Sequence, residues 1–172
     1  MEEMMCYIPK TLEEALDIKS KHDVIVLAGG SDLMVSNKRT LGLTPKFDKP
    51  VMIVRNLPEL KNIYINDKGE CCIGSGCTSA QIAESTLCPW HLRQAASRMG
   101  AVALRNSATI AGNIANASPK GDTPGPLYML DARVKLSSVS GSREVLVSDF
   151  IVKFRTIDLK PDEMITEVIV PL

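Results

Sequence analysis

The segment that most narrows the possible folds is Val24-Ile25-Val26-Leu27-Ala28-Gly29-Gly30-Ser31-Asp32. Its continuous apolar run reads as a buried strand, and strands covered on both faces belong to sheets flanked by helices. The run breaks directly into two glycines. Leu33-Met34-Val35 with Lys38-Arg39 then reads as a short helix whose basic end suits its C-terminal dipole. Glycines at such a junction can take positive φ and let a ligand approach the backbone, while the freed N–H groups form a nest for an anion such as phosphate. A plain tight turn, with Ser31 capping the helix and nothing bound, accounts for the same residues. Two familiar phosphate motifs are excluded here, because the segment has no Gly-Lys-Ser/Thr and no third glycine in G-x-G-x-x-G spacing.

The elements around this junction follow from local patterns. Thr11-Leu12-Glu13-Glu14 is a capping-box pattern, and Leu12, Ala15, Leu16 and Ile18 share one face of a helix running to about Lys21. Val51 to Val54 reads as a second buried strand, so a strand and helix lobe ends near Leu60. Ile63 to Ile65 and Cys71 to Ile73 read as a hairpin joined by Asn66-Asp67-Lys68-Gly69. Thr78 to Glu84 is a short helix and Cys88 to Arg98 a longer one, with Pro89 in its first turn. Pro126 to Leu130 is a helical turn, Arg133 to Val139 and Glu144 to Val147 alternate like paired strands, and Ile165 to Val170 is a last strand.

Composition excludes several classes of function. The 20 Lys and Arg balance 20 Asp and Glu, so the chain lacks the positive field that nucleic acid or an anionic membrane surface requires. The longest early apolar run falls far short of the ~20 residues of a membrane span. The N-terminus, Met1-Glu2-Glu3-Met4-Met5, is acidic where a secretory signal is basic, which predicts a cytoplasmic protein. The 5 cysteines include no C-x-x-C pair, and Cys71 and Cys72, adjacent on a strand, point to opposite faces. They read as reduced thiols. His22 and His91 are far apart, without metal-ligand spacing.

Two further segments bear on chemistry. Gly74-Ser75-Gly76-Cys77-Thr78-Ser79 follows a strand and opens a helix, but Ser79 stands where a dinucleotide fingerprint has its third glycine or alanine. Arg105 to Leu136 begins with a run too small-sided to build its own core. Ala108, Thr109, Ala111, Gly112, Ala115, Ala117 and Ser118 leave room for a large flat ligand, and Thr109, Asn113 and Asp122 supply polar groups. A carboxylate such as Asp122 suits ribose hydroxyls. A loop packed under a helix, with Asp122 capping the turn before Pro124, is the alternative.

Together, LAGGSDLMV at 27–35, RNSATIAGNIANASPKGDTPGPLYMLDA at 105–132 and DEMITEVIVP at 162–171 resemble the FAD-binding subunit of the molybdenum hydroxylases, the group that includes xanthine, carbon monoxide and nicotinate dehydrogenases. The resemblance implies an α+β FAD-binding fold of the p-cresol methylhydroxylase or vanillyl-alcohol oxidase type. Its two α/β lobes, here residues 1–58 and 59–172, would hold FAD between them. It implies cofactor contacts at Leu27, Ala28, Gly29, Gly30, Ser31, Asp32 and Leu33 around the pyrophosphate. Thr109, Ile110, Gly112 and Asn113 would lie along the flavin and diphosphate, Asp122 on the adenosine side, and Ile165 and Met99 would be apolar contacts. Ala111 stands where many members have a glycine. Family subunits usually continue into a C-terminal domain beyond the last strand, and this chain stops at Leu172.

The same resemblance implies electron transfer and no catalytic acid or base on this chain. A molybdopterin-binding large subunit would carry out the substrate chemistry, a 2Fe-2S small subunit would relay electrons, and FAD would pass them to NAD or another acceptor. Two other readings are open: a scaffold that has lost FAD, and a hydrolase or independent flavin enzyme using Ser31, Ser118 or Cys77 as nucleophile. The latter lacks a G-x-S-x-G elbow and a nearby histidine.

Overall fold

The computed structural model describes residues 5–37 and 46–172. The chain begins with β1 (Cys6–Tyr7), α1 (Leu12–Lys21), β2 (Ile25–Leu27), α2 (Leu33–Ser36) and β3 (Val51–Ile53), and β3 lies between β1 and β2 in a parallel sheet. Thr11 caps α1 as the sequence predicts, its hydroxyl accepting from the Glu14 N–H at 3.1 Å. The reciprocal arm of the box goes elsewhere, because the Glu14 carboxylate accepts from the Lys10 N–H. Ala15 is fully buried, and Leu12, Leu16 and Ile18 pack beside it against Val24, Met52, Val54, Leu57 and Leu60. Strand β2 is half-buried rather than covered on both faces, since Val26 borders an open cavity. The basic end expected for α2, at Lys38 and Arg39, lies outside the described residues.

The second half contributes β4 (Ile63–Ile65), β5 (Cys71–Gly74), α3 (Ser79–Glu84), α4 (Trp90–Arg98), α5 (Val102–Arg105), α6 (Ile110–Ala115), α7 (Pro124–Met129), β6 (Arg133–Ser138), β7 (Gly141–Leu146), α8 (Val147–Phe150), β8 (Ile151–Lys153), β9 (Thr156–Ile157) and β10 (Met164–Val170). The β4–β5 hairpin turns where the sequence places it. Gly69 adopts φ +76, and the Asn66 side chain accepts from the Lys68 and Glu70 N–H groups. Strand order in this antiparallel sheet is β4-β5-β10-β6-β7, so β10 is its centre. Apolar side chains on one face alternate with the strand period. Cys71, Ile73, Val134, Leu136, Val168 and Val170 bury against Ile82, Leu92, Ile110, Ile114, Leu127 and Phe150 of the helices. Each such large side chain contributes about 1.5–3 kcal/mol on leaving water.

Several expected boundaries move. Helix α4 starts at Trp90, with Pro89 as its N-cap, and Cys88 precedes it. The run after Arg105, expected to have too little apolar surface for a core, forms α6. It needs only Ile110 and Ile114, four apart on one face and both fully buried, to dock on the sheet. Val147 ends no strand; it opens α8 as a core residue. The small β8–β9 hairpin is an element the pattern does not announce. No helix among the described residues is long and apolar enough to cross a membrane.

Candidate functional site

A cavity of about 410 Å³ lies where the C-terminal end of β2 meets the N-terminal turn of α6. One wall is the glycine turn from Ala28 to Leu33, and the opposite wall is Thr109, Ala111, Gly112, Asn113, Ala115 and Asn116. Ser75 and Gly76 close one side, and Val26, Val54, Leu60, Met164 and Ile165 add an apolar surface. The two motifs touch through backbone. A Cβ on Gly29 would overlap the Ser107 carbonyl, so only glycine lets the turn approach residues 107–108. Gly30 adopts φ +70, a left-handed conformation that favours glycine.

The glycine turn is rich in unused donors. Among the described residues no protein acceptor takes the N–H of Gly29, Gly30, Ser31, Asp32 or Leu33. Ser31 does not cap the helix; Asp32 is the N-cap residue, and its side chain makes no capping bond. Successive N–H groups without partners at a strand-to-helix turn form an anion-binding concavity. The facing helix differs. The Ile110 and Ala111 N–H groups donate to the Cys77 and Ser75 carbonyls, and Gly112 N–H donates to the Thr109 hydroxyl at 3.2 Å. Helix α6 therefore presents small side chains and polar tips rather than open backbone.

The charged residues of the cavity are arranged in pairs. Arg143 grips the buried Glu163 carboxylate with two hydrogen bonds of 2.7 and 2.9 Å, which holds Glu163 below the usual carboxylate range. Arg155 is the cation lining the cavity, 4.0 Å from Asp32 across the mouth, and both side chains are about half exposed. The Arg155 backbone is strained, with φ +53, and its N–H donates to the carbonyl of Ala117, itself at φ 45. Its guanidinium also donates to the Asn116 side chain at 3.3 Å. Strained backbone of this kind persists only where the surrounding structure fixes it.

The structure brings Ala28, Gly29, Gly30, Ser31, Asp32, Leu33, Thr109, Gly112, Asn113 and Ile165 together around this cavity. It does not bring in four others. Ile110 points into the helical core, and Met99 is buried where its sulfur accepts from the Ser79 hydroxyl. Leu27 supports the glycine turn from behind. Asp122 lies outside the wall, next to Thr123, whose N–H and hydroxyl both donate to the Asn113 side-chain oxygen at 3.0 and 2.7 Å. Sequence reading missed Arg155, Glu163, Asn116 and Ser75 as lining residues. Ser75 and Gly76 gave a signal in the incomplete G-x-G fingerprint; Arg155 gave none.

No histidine lines the cavity, and burial pushes the Cys77 thiol up to about 11, leaving it a poor nucleophile. The neighbouring Cys88 and burial push the Cys71 thiol up, while Cys71 in turn lowers that of Cys88. No group of His, Cys, Asp or Glu among the described residues could hold a metal ion.

The fold is shared with carbon monoxide dehydrogenase from Oligotropha carboxidovorans, at a TM-score of 0.87 and 24% identity over 99% of this chain and 59% of that one. Fold and cavity together define a mixed α/β domain built for a nucleotide cofactor. The chain belongs to the family described as the FAD binding domain in molybdopterin dehydrogenase, which matches residues 2–172. Its relatives include the nicotinate dehydrogenase FAD-subunit of Eubacterium barkeri, 33% identical over 99% of this chain. The xanthine dehydrogenase FAD-binding subunit of Escherichia coli O157:H7 is 29% identical over 90%. The chain spans 59% and 53% of the length of these two relatives. FAD is the cofactor of this family, whose members are oxidoreductase components.

The residues present fit that cofactor. The close backbone approach at Gly29, the row of unpartnered N–H groups and the Arg155 cation suit a diphosphate. The small-sided helix and the apolar surface suit flat rings.

Proposed function

We propose that this chain is the FAD-binding, electron-transferring part of a molybdenum-containing dehydrogenase. Its partners would be a molybdopterin-binding large subunit that oxidises the substrate and a 2Fe-2S small subunit that relays the electrons, with NAD or another acceptor taking them up. The fold would be of the p-cresol methylhydroxylase or vanillyl-alcohol oxidase type, two α/β lobes at residues 1–58 and 59–172 with FAD between them. The observation that carries this reading is the row of unpartnered N–H groups at residues 29–33, facing helix α6 across one open cavity.

FAD, when bound, supplies the redox chemistry. The chain's own residues bind and orient. The 29–33 N–H groups and Arg155 would hold the diphosphate from two sides of the mouth, while Ala111, Gly112 and Ile165 would shape the walls for rings. Asn113, its oxygen occupied by Thr123, keeps its amide N–H₂ for the ligand. Asp122, one residue before Thr123, would reach a cofactor hydroxyl from the outer edge. Glu163 stays paired with Arg143, and Asp32 faces Arg155 at 4.0 Å, so each carboxylate of the cavity has a cation beside it.

The test is an absorbance spectrum of purified protein after incubation with FAD and removal of the excess. Stoichiometric flavin bands are expected. Arg155→Gln should weaken FAD binding about tenfold, the loss of one charge-assisted contact, with an unchanged melting temperature. Colourless protein at saturating FAD would overturn the flavoprotein reading and favour a scaffold.

A further inference from the structure

Among the described residues, three that are not glycine hold left-handed backbone: Ala117, Asp131 and Arg155. Asp131 follows helix α7 and its C-cap Leu130, and aspartate tolerates this region. Alanine and arginine do so far less readily. Ala117 comes directly after Asn116, the C-cap of α6, where a helix commonly takes glycine to turn away. Arg155 lies in the two-residue turn between Lys153 of β8 and Thr156 of β9, and a turn residue with positive φ is normally glycine or asparagine. Two positions that call for glycine, on elements distant in sequence, thus carry side chains. They are bonded to each other, Arg155 N–H donating to the Ala117 carbonyl at 3.0 Å.

Glycine at 155 would relax the turn but would supply no guanidinium. That group is held from three sides: the Asn116 side-chain oxygen accepts from it at 3.3 Å, the Phe154 ring lies 5.6 Å from it, and Asp32 stands 4.0 Å away across the mouth. Asn116 and Arg155 both line the cavity. The end of α6 does not use the Asn116 side chain, because its closing bonds are backbone: Asn116 N–H to the Gly112 carbonyl and Ala117 N–H to that of Ile114. The side-chain oxygen is therefore available to Arg155. A long, half-exposed side chain samples many rotamers, and ordering it at the moment of binding costs affinity.

We infer that Asn116 is a positioning residue for Arg155, and that the left-handed turn at Arg155 is a stability cost retained to aim this cation across the cavity mouth. The inference rests on the flavin reading for the anion that Arg155 meets. The strain itself stands on the backbone alone.

Melting curves and equilibrium dialysis against FAD, both on the full chain, separate strain from aim. Arg155→Gly and Arg155→Gln each remove the cation, so both should bind FAD about tenfold more weakly. Only glycine relaxes the turn, so Arg155→Gly should melt about 2–4 °C above Arg155→Gln. Asn116→Ala should weaken FAD binding about threefold in the wild-type chain, from the cost of ordering one freed side chain, and not at all in the Arg155→Gln chain. Its deficit should also shrink in about 1 M salt, which screens half-exposed charges. An Asn116→Ala effect of equal size in both chains, or none in either, would overturn the positioning role. Arg155→Gly melting no higher than Arg155→Gln would overturn the strain. Wild-type protein that binds no FAD would sink the flavin reading and this inference together, whereas wild-type binding with Asn116→Ala unchanged sinks this inference alone.

Discussion

Alanine at Gly29 tests the contact that joins the two halves of the site. Gly29 needs no left-handed backbone, so the penalty is steric alone: the new methyl would lie on the Ser107 carbonyl, a backbone group that cannot swing away. Overpacking of this kind reaches about 3 kcal/mol at the upper end of its usual range. For a domain of this size each kcal/mol lowers the melting temperature by about 2–4 °C, so Gly29→Ala should melt about 6–12 °C lower. Gly69→Ala is the control for conformation without contact, since Gly69 has φ +76 and a methyl there would meet nothing within 4 Å. It should lose about 1 kcal/mol, or about 2–4 °C. Gly30→Ala, at φ +70 with only the flexible ends of Met34 and Leu27 nearby, should fall close to Gly69→Ala. Circular dichroism melts of the three variants, each paired with flavin retention, decide the matter. A Gly29→Ala protein that melts with Gly69→Ala and retains FAD would refute the claim that this approach builds the site.

Asn113→Ala strands two donors of Thr123, which is fully buried, and should destabilise by about 1–3 kcal/mol; Asn113→Asp keeps the acceptor and should recover most of the loss in a urea melt. Arg143→Gln leaves the Glu163 carboxylate buried without its partner, so its urea midpoint should fall clearly at pH 7. Because Glu163 is held below its unfolded value of about 4.3, it stabilises above that pH and the contribution disappears as pH falls through the lower folded value. The gap between wild type and Arg143→Gln should accordingly shrink in acid, and a gap independent of pH would contradict the pairing. Cys6 is the exposed cysteine and the other 4 are buried, so a thiol reagent should react promptly with one group in native protein and with all five only after denaturation.

Local chemistry explains what the sequence made legible. The Asn66–Gly69 turn, the Thr11 cap and the glycine break after Leu27 each act through residues within a few positions of one another. The fold family and the glycine-turn and α6 walls of the site were readable from ordered motifs. What was hidden depends on partners distant in sequence. Helix α6 is disguised because small residues face the cavity, leaving only Ile110 and Ile114 to announce its buried side. Arg155 becomes a cavity residue through the Ala117 carbonyl that receives its N–H. Met99 and Ile110 look available by position, yet packing turns both into the core. The end expected at Lys38 and Arg39 falls outside the described residues.

The place of β10 has a consequence for how the protein is made. A ribosome releases β5 and β6 well before residues 164–170, yet neither strand pairs with the other; each waits for β10 to enter between them, where Glu167 meets both Gly74 and Lys135. Met164 and Ile165 of that strand also line the cavity. The nascent chain therefore holds two open sheet edges and an unfinished pocket wall until this strand emerges.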